Sequence, residues 1–478
     1  MTKRNKNLTE CCVFLLLLCL LFARCYRILS FKSTNNGGRL QNYYDIRVPL
    51  DVIVYGSSHA GCAVNNAMLW EDAGISSYTL GVANQSIDGI LYFMEESFRI
   101  NKPQAALIET YAFVHEAEGE DSYDRTNLTG PWSPGYVRYL LKQAARMGYD
   151  RQKTQEYLLR MPIVHSRYND LSKDDFITPY PYMRGYWGSK LTEQIGTPEP
   201  TERRQELPEF NRLCLEQMVR LCRDNGVLPV FFNAPYQTSE EDMAVQNMIG
   251  DILTGENVTY INFNKDAARY GIDYATDMRE WSHMNDSGAA KVTQVLEDCL
   301  REQIDPGDHR GEAGYEMWDL HARFLADKED TARLESAPEL PEYLTELDGM
   351  KERYLIVLSL QGNYRALGDE AFRTQIENLS GETSYYENGG ILALDGGEPV
   401  CSLPGEGACV WQFKVADHAE LTVYRDAEET WPHILLEDKE YTEEVNGVNI
   451  LVYDRECAEI VDRVCVNVYE GLGTIRHE

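Results

Sequence analysis

Basic residues are scarce in this chain: 45 lysines and arginines stand against 77 aspartates and glutamates, a formal net charge of −32 over 478 residues. Such a charge repels phosphate backbones, and no basic stripe or nucleic-acid module offsets it. Nucleic acid is therefore excluded as an expected partner. Metal-finger spacing is lacking among the twelve cysteines, and nothing in the sequence implies a metal or an organic cofactor. What is present is ordinary globular material, 43% hydrophobic and 26% charged, long enough for two or three cores.

The N-terminus reads MTKRNKNLTECCVFLLLLCLLFARCYRILSFK, with Lys3, Arg4 and Lys6 ahead of an apolar run from Cys11 to Ala23. That run is signal-like in length and short for a full span, unless Leu8 and the stretch to Phe31 extend it while Arg24 and Arg27 snorkel. A cleavage site would find only Ala23 as a small residue, and Arg24 precedes Cys25 where a lipobox needs a small one. Residues 1–32 thus read as an uncleaved signal-anchor, with a cleaved signal and a buried helix of a cytosolic protein as the alternatives. The basic end stays in the cytoplasm, so the chain is expected in the cell membrane as a single-pass protein with its bulk outside. Cys401, Cys409, Cys457 and Cys465 lie close together near the C-terminus of an exported chain, where one or two disulfides are expected. The scattered Cys62, Cys214, Cys222 and Cys299 read as small buried hydrophobes.

Beyond a polar tether containing STNNGG, strand-like and helix-like segments alternate. VPLDVIVY leads to a helix from about Ala60, SYTLGV to a helix over 87–100, and PQAALIETYAF to a long insertion. Helix 205–225, strand VLPVFFNAP, helix 239–254, strand VTYINF and a last helix from about Ser287 to Gln303 follow. This alternation predicts a parallel sheet covered by helices on both faces, with ligand sites at the carboxyl ends of its strands.

Ser58 stands at such an end, in DVIVYGSSHAGCAVN. A nucleophilic serine needs a base within hydrogen-bond reach, and that base needs an acceptor that fixes its tautomer. DMREWSHMNDSGAAKVTQVL supplies His283 in a polar turn, with Glu280 or Asp277 as acceptor and Asn285, Asp286 or Ser287 as helix cap. His59 is adjacent to Ser58, points elsewhere and is a poor base for it. Each motif alone is common turn material; their order and their places at opposite ends of the array carry the argument.

YGSSHA, GVANQS and EWSHMNDSGA together resemble the SGNH, or GDSL-like, hydrolase superfamily over about residues 48–305, and more narrowly its membrane-anchored members associated with glycan O-acylation. The resemblance implies a flavodoxin-like, three-layer α/β fold with a parallel sheet over residues 46–305, interrupted by an insertion over about 115–204. It implies Ser58 as nucleophile, His283 as base, Glu280 as the acid, and the backbone amides of Ser58 and Asn84 as oxyanion donors. Two departures stand out: Asn84 occupies the place of a glycine, and IETYAFVHE lacks the asparagine that the third block of the superfamily supplies. Losing one oxyanion donor costs roughly 10²- to 10³-fold in rate.

The insertion is dense in Tyr, Trp and Arg, which suits sugar stacking at a cleft rim or the interior of a helical cap, the latter supported by helical periodicity over 135–160. Within it, His165 and Arg167 are candidate substrate contacts, against a structural role for the histidine. Residues 306–349 turn acidic and read as part helix, a linker or packing arm between domains. The tail, about 350–470, alternates strand-like runs with Gly/Asp turns and is expected to be a compact, β-rich α+β domain. Its YLIVLSLQGNYRALGDEAFRTQIENLSG and GVNILVYD to IVDRV spacing resemble the interleukin-like EMT inducer domain, which implies a glycan-binding module. The expected function is an extracytoplasmic serine esterase or O-acyltransferase, of O-acetyl type, acting on a cell-surface or cell-wall glycan, with a membrane acyltransferase as a candidate partner. The alternative is a non-catalytic glycan-binding or assembly protein on a degenerate SGNH scaffold.

Overall fold

The computed structural model describes residues 3–30, 42–115, 120–130, 132–172, 175–176, 182–367, 370–381, 385–416, 419–428, 431–469 and 475–476. STNNGG, expected as a tether, lies outside them. The chain forms two compact units, Met1–Ala322 and Arg323–Glu478.

The first unit opens with α1 (Lys3–Leu29), whose stretch Thr9–Leu29 is long and apolar enough to cross a membrane and none of which is buried. Five short strands then alternate with helices: β1 (Val52–Gly56), α2 (Ser58–Ala63), α3 (Asn66–Ala73), β2 (Ser77–Gly81), α4 (Ile87–Ile100) and β3 (Ala105–Glu109). The insertion contributes α5 (Glu120–Thr129), α6 (Pro134–Met147), α7 (Arg151–Leu159) and α8 (Met161–Val164). After it come α9 (Glu209–Asn225), β4 (Leu228–Asn233), α10 (Glu240–Gly255), β5 (Thr259–Asn262) and α11 (Asp286–Gln303).

All five strands are parallel, in the order β2-β1-β3-β4-β5. Every residue of β1, β2 and β3 is buried, as expected where helices cover both faces. Successive β1 side chains face opposite ways. Val52 and Val54 join a core with Leu69 of α3 and Val292, Leu296 and Leu300 of α11. Tyr55 points to the other face, where its hydroxyl meets Ser97 Oγ on α4 at 2.7 Å and its ring meets Phe98 edge-on. The strand order reverses at β1, so the carboxyl ends of β1 and β3 flank the crevice where such sheets bind ligands.

The helical periodicity expected over 135–160 resolves into two helices. α6 ends at Gly148, which adopts a left-handed conformation (φ +67°), and Asp150 then caps α7 through Lys153 N at 2.7 Å. The segment 306–349 carries two helices, α12 (Glu316–Ser336) and α13 (Leu340–Met350), and the division between the units falls inside α12.

The second unit carries a six-stranded antiparallel sheet. Its strands β6 (Leu355–Gln361), β7 (Gly390–Asp395), β8 (Glu398–Leu403), β13 (Gly447–Asp454), β14 (Glu459–Asn467) and β15 (Ile475–Arg476) run in the order β15-β14-β13-β6-β7-β8. A four-stranded antiparallel sheet is formed by β9 (Cys409–Ala416), β10 (Ala419–Arg425), β11 (His433–Leu436) and β12 (Lys439–Glu440). The alternation along β6 divides the unit into two cores. Ile356, Leu358 and Leu360 pack with Leu344 and Leu347 of α13, and Leu355 and Val357 pack with Leu421, Val423 and Ile434 of the smaller sheet. The disulfides expected here are not formed: none of the twelve cysteines is joined to another, and Cys401, Cys457 and Cys465 are buried while Cys409 is half-buried. Cys401 belongs to the inter-sheet core and behaves as a small hydrophobe, its thiol pushed up to about 11, mainly by burial.

Candidate active site

The turn after β1 is tight because two small residues let it be. A Cβ placed on Gly56 would lie 2.7 Å from Ala60 Cβ and 2.8 Å from Glu109 Cβ, so any side chain would push β1 and β3 apart. Ser57 caps α2, its Oγ accepting from His59 N at 3.3 Å, which leaves Ser58 as the first helical residue, half-buried at the sheet edge. Gly61 lies under the Trp187 ring, where a Cβ would come within 2.9 Å of the indole.

The second motif forms a closed loop. A bridge joins Met278 to Met284, and Arg279 N donates to His283 O at 2.9 Å, so Glu280, Trp281 and Ser282 make its tip. Glu280 folds back on this loop. One carboxylate oxygen accepts from Ser282 N at 3.0 Å and the other is in short contact with His283 Nδ1. His283 Nε2 meets Ser58 Oγ at 2.7 Å, across 225 residues of sequence. Ser58, His283 and Glu280 therefore form one hydrogen-bonded series, carboxylate to imidazole to hydroxyl.

Asp277, the other acceptor that sequence left open for His283, is committed elsewhere. It is fully buried, bonded to Lys291 Nζ at 2.7 Å and Ser287 Oγ at 2.9 Å, and it receives Asp273 N at 2.7 Å. Asn285 caps α11 through Gly288 N at 3.1 Å. Asn84 sits exposed in the turn after β2, with a left-handed backbone (φ +52°) that asparagine tolerates. Gly56 and Gly81 are register partners, so the turns bearing Ser58 and Asn84 leave the sheet side by side.

Electrostatics suit a neutral base beside an ionised acid. Burial would raise the Glu280 carboxyl, but hydrogen bonds from His283 and the Ser282 amide, with Arg279 nearby, hold it below its usual range. Burial lowers His283, aided by Arg279 and opposed by Glu280, so the imidazole is unprotonated at neutral pH.

Sequence reasoning missed two parts of this site. Where the third block would supply asparagine, Glu109 is fully buried at the end of β3. Burial lifts its carboxyl to about 8 despite a bond from Tyr111 N to Oε1 at 2.9 Å, and Oε2 has no partner. Beside it, His59 is not idle: it stacks on Tyr111 with ring centres 3.6 Å apart, and its Nε2 contacts Ser282 Oγ at 3.2 Å. Burial drives His59 well below its ordinary value, so it is a neutral wall of the site.

The other missed part is a strap from the end of the insertion. Trp187 N bonds to Gly61 O at 2.8 Å, Asp286 N to Ser189 O at 2.9 Å, and Glu193 N to Met278 O at 2.9 Å, tying α2 to the histidine loop. Tyr186, nearly fully buried, donates to Asp286 Oδ1 at 2.6 Å. Tyr186 and Trp187 of this strap thus pack against the elements that carry the site, Asp286 of α11 and Gly61 of α2. Arg167 has a structural place too, donating to Leu29 O at 2.9 Å and Ser30 O at 2.6 Å, while exposed His165 bonds only locally, to Pro162 O at 2.7 Å. Among the described residues, three buried ligand atoms gather at Asp327, Asp454 and Cys457, in the second unit. Compared with known protein families, with curated proteins and with solved structures, the chain matches none.

Proposed function

We propose that the chain is a membrane-anchored, extracytoplasmic serine esterase or O-acyltransferase of SGNH type, acting on O-acyl groups of a cell-surface polysaccharide. The observation that carries this reading is the series Glu280, His283, Ser58 at the carboxyl edge of a parallel sheet. Ser58 Oγ bonds to the acyl carbon as His283 Nε2 takes its proton, and Glu280 stabilises the imidazolium. Collapse breaks the ester C–O bond, and the departing alcohol takes that proton. Water or a sugar hydroxyl then gives its proton to His283 and attacks the acyl-enzyme, and Ser58 leaves with the proton restored. The amides of Ser58 and Asn84 serve the oxyanion. The polysaccharide and the acetyl-type acyl group rest on the resemblance of the motifs, as does glycan binding by the C-terminal unit. N-terminal anchoring draws on the apolar helix α1.

A specific feature favours a second reading, a glycan-binding protein on the same scaffold without turnover. The asparagine that the third block of the superfamily supplies is absent, and buried Glu109 ends β3 in its place. The two separate when full-length protein in detergent micelles is incubated with O-acetylated polysaccharide. Release or transfer of acetate that disappears in Ser58→Ala supports the enzyme, whereas binding without acetate loss in either protein supports the scaffold reading.

A further inference from the structure

The end of the apolar helix is fixed to the insertion. Tyr26 donates to Leu128 O at 3.3 Å, and Arg167 covers the last carbonyls of α1 as described above. Between these contacts lies a cavity of about 750 Å³, within the size range of small-molecule sites. Phe22 and Tyr26 of α1 line one side, and Leu128, Trp132, Leu159 and Arg160 the other. Trp132 and Leu159 are 64% and 65% exposed, and Phe22 is 52% exposed, an apolar rim continuous with the membrane-crossing helix. Trp at such a level suits the boundary between headgroups and hydrocarbon.

Arg160 is the unusual member. It is only 3% exposed, at the junction of α7 and α8, with a left-handed backbone (φ +58°). Its Nη1 donates to Gly130 O at 2.6 Å, and its guanidinium lies 4.0 Å from the centre of the Tyr136 ring. Its Nε and Nη2 have no hydrogen-bond partner, and no carboxylate pairs with it among the described residues. A buried guanidinium left without an anion is costly, several kcal/mol by order of magnitude. The lining carries Arg27 and Arg160 against a single acid, Asp45, in a chain of net charge −32. A cation is thus held, unpaired, beneath an apolar rim at the end of the membrane helix.

We propose that this cavity binds a phospholipid of the surrounding leaflet, Arg160 holding the phosphate and Phe22, Trp132 and Leu159 taking the start of an acyl chain. Arginine suits the task because its fork of donors matches phosphate oxygens. The inference rests on the membrane-anchored reading. Its consequence is that the catalytic unit is seated against the bilayer by a lipid as well as by its helix.

The test uses full-length protein in detergent micelles doped with phosphatidylglycerol, phosphatidylcholine or an uncharged galactosyl diacylglycerol, followed by native mass spectrometry. Wild type is expected to retain one phospholipid of either phosphate-bearing class and not the galactolipid. Arg160→Gln should lower occupancy by roughly tenfold or more, the effect of losing a charge-assisted bond. Leu159→Glu, at an exposed position that leaves the fold intact, should do the same by placing a carboxylate at the rim. Equal retention of the galactolipid, no retained phospholipid, or full retention in Leu159→Glu would each overturn the proposal. Carbonate washing of membranes distinguishes the two layers of the argument: release of the chain defeats the anchor, while a resistant chain without lipid defeats the lipid site alone.

Discussion

Replacing Glu280 with glutamine changes one atom and should disable the site. The carboxylate accepts two N–H groups at once, from His283 Nδ1 and from Ser282 N at 3.0 Å. An amide has a single acceptor oxygen, so one of the two donors must face an NH₂ group. If that donor is Ser282 N, the loop tip that holds His283 shifts. If it is Nδ1, the imidazole proton moves to Nε2, which then donates to Ser58 Oγ at 2.7 Å instead of accepting from it. Either arrangement removes the base and the negative charge that steadies the imidazolium. Loss of the correct tautomer predicts a fall of about 10³- to 10⁴-fold in the rate of acyl-enzyme formation, equivalent to about 4 to 5.5 kcal/mol. The assay is pre-steady-state acylation by p-nitrophenyl acetate, read as the burst of nitrophenol, with Glu280→Asp as a charge-retaining control. The wild-type rate should also fall on acidification as His283 takes a proton, at a pH below the ordinary histidine range because burial lowers it. A Glu280→Gln burst within threefold of wild type would refute the reasoning.

Glu109→Gln is expected to flatten the pH dependence of stability. A buried carboxyl raised to about 8 from 4.5 favours the fold fully below pH 4.5, and that advantage is lost as pH rises to about 8, on the order of 4 to 5 kcal/mol in all. Denaturant titrations at pH 5 and pH 9 check this, and parallel losses in the two proteins would contradict it. Gly56→Ala should cost about 1 to 3 kcal/mol by overpacking against Ala60 and Glu109, and should slow acylation of Ser58; an unchanged melting temperature and burst would contradict the close approach. Protease added to intact cells should digest the C-terminal unit, and deletion of residues 9–29 should leave the chain in the soluble fraction. Protection of that unit would overturn the expected orientation.

The parallel sheet was legible because each strand is short, apolar and bounded by a turn and an amphipathic helix, and Ser58 and His283 lie at ends of those elements. The choice of Glu280 over Asp277 as the acceptor was not readable from the residues alone: both lie within six positions of His283, and only the folded loop shows Glu280 turned to His283 Nδ1 while Asp277 bonds to Lys291 and Ser287. The strap at 182–205 was not legible. It has no periodicity, and its bonds are backbone contacts to partners about 100 residues away, such as Trp187 N to Gly61 O. Part of 306–349 was legible as helix despite its acidic composition, and Leu340, Tyr343, Leu344 and Leu347 carry that signal at the right spacing. Export and closeness in sequence suggested disulfides, yet Cys401, Cys409 and Cys465 lie on strands β8, β9 and β14, and Cys457 lies in the turn before β14 beside Asp327 and Asp454.

The most direct test is covalent labelling of the full-length protein with a fluorophosphonate probe, with the modified residue located by peptide mass spectrometry. The account predicts a single adduct on Ser58, absent from Ser58→Ala and from His283→Ala. A folded wild-type protein that takes no label, or takes it on another residue, would contradict the claim that Ser58, His283 and Glu280 form a working nucleophile.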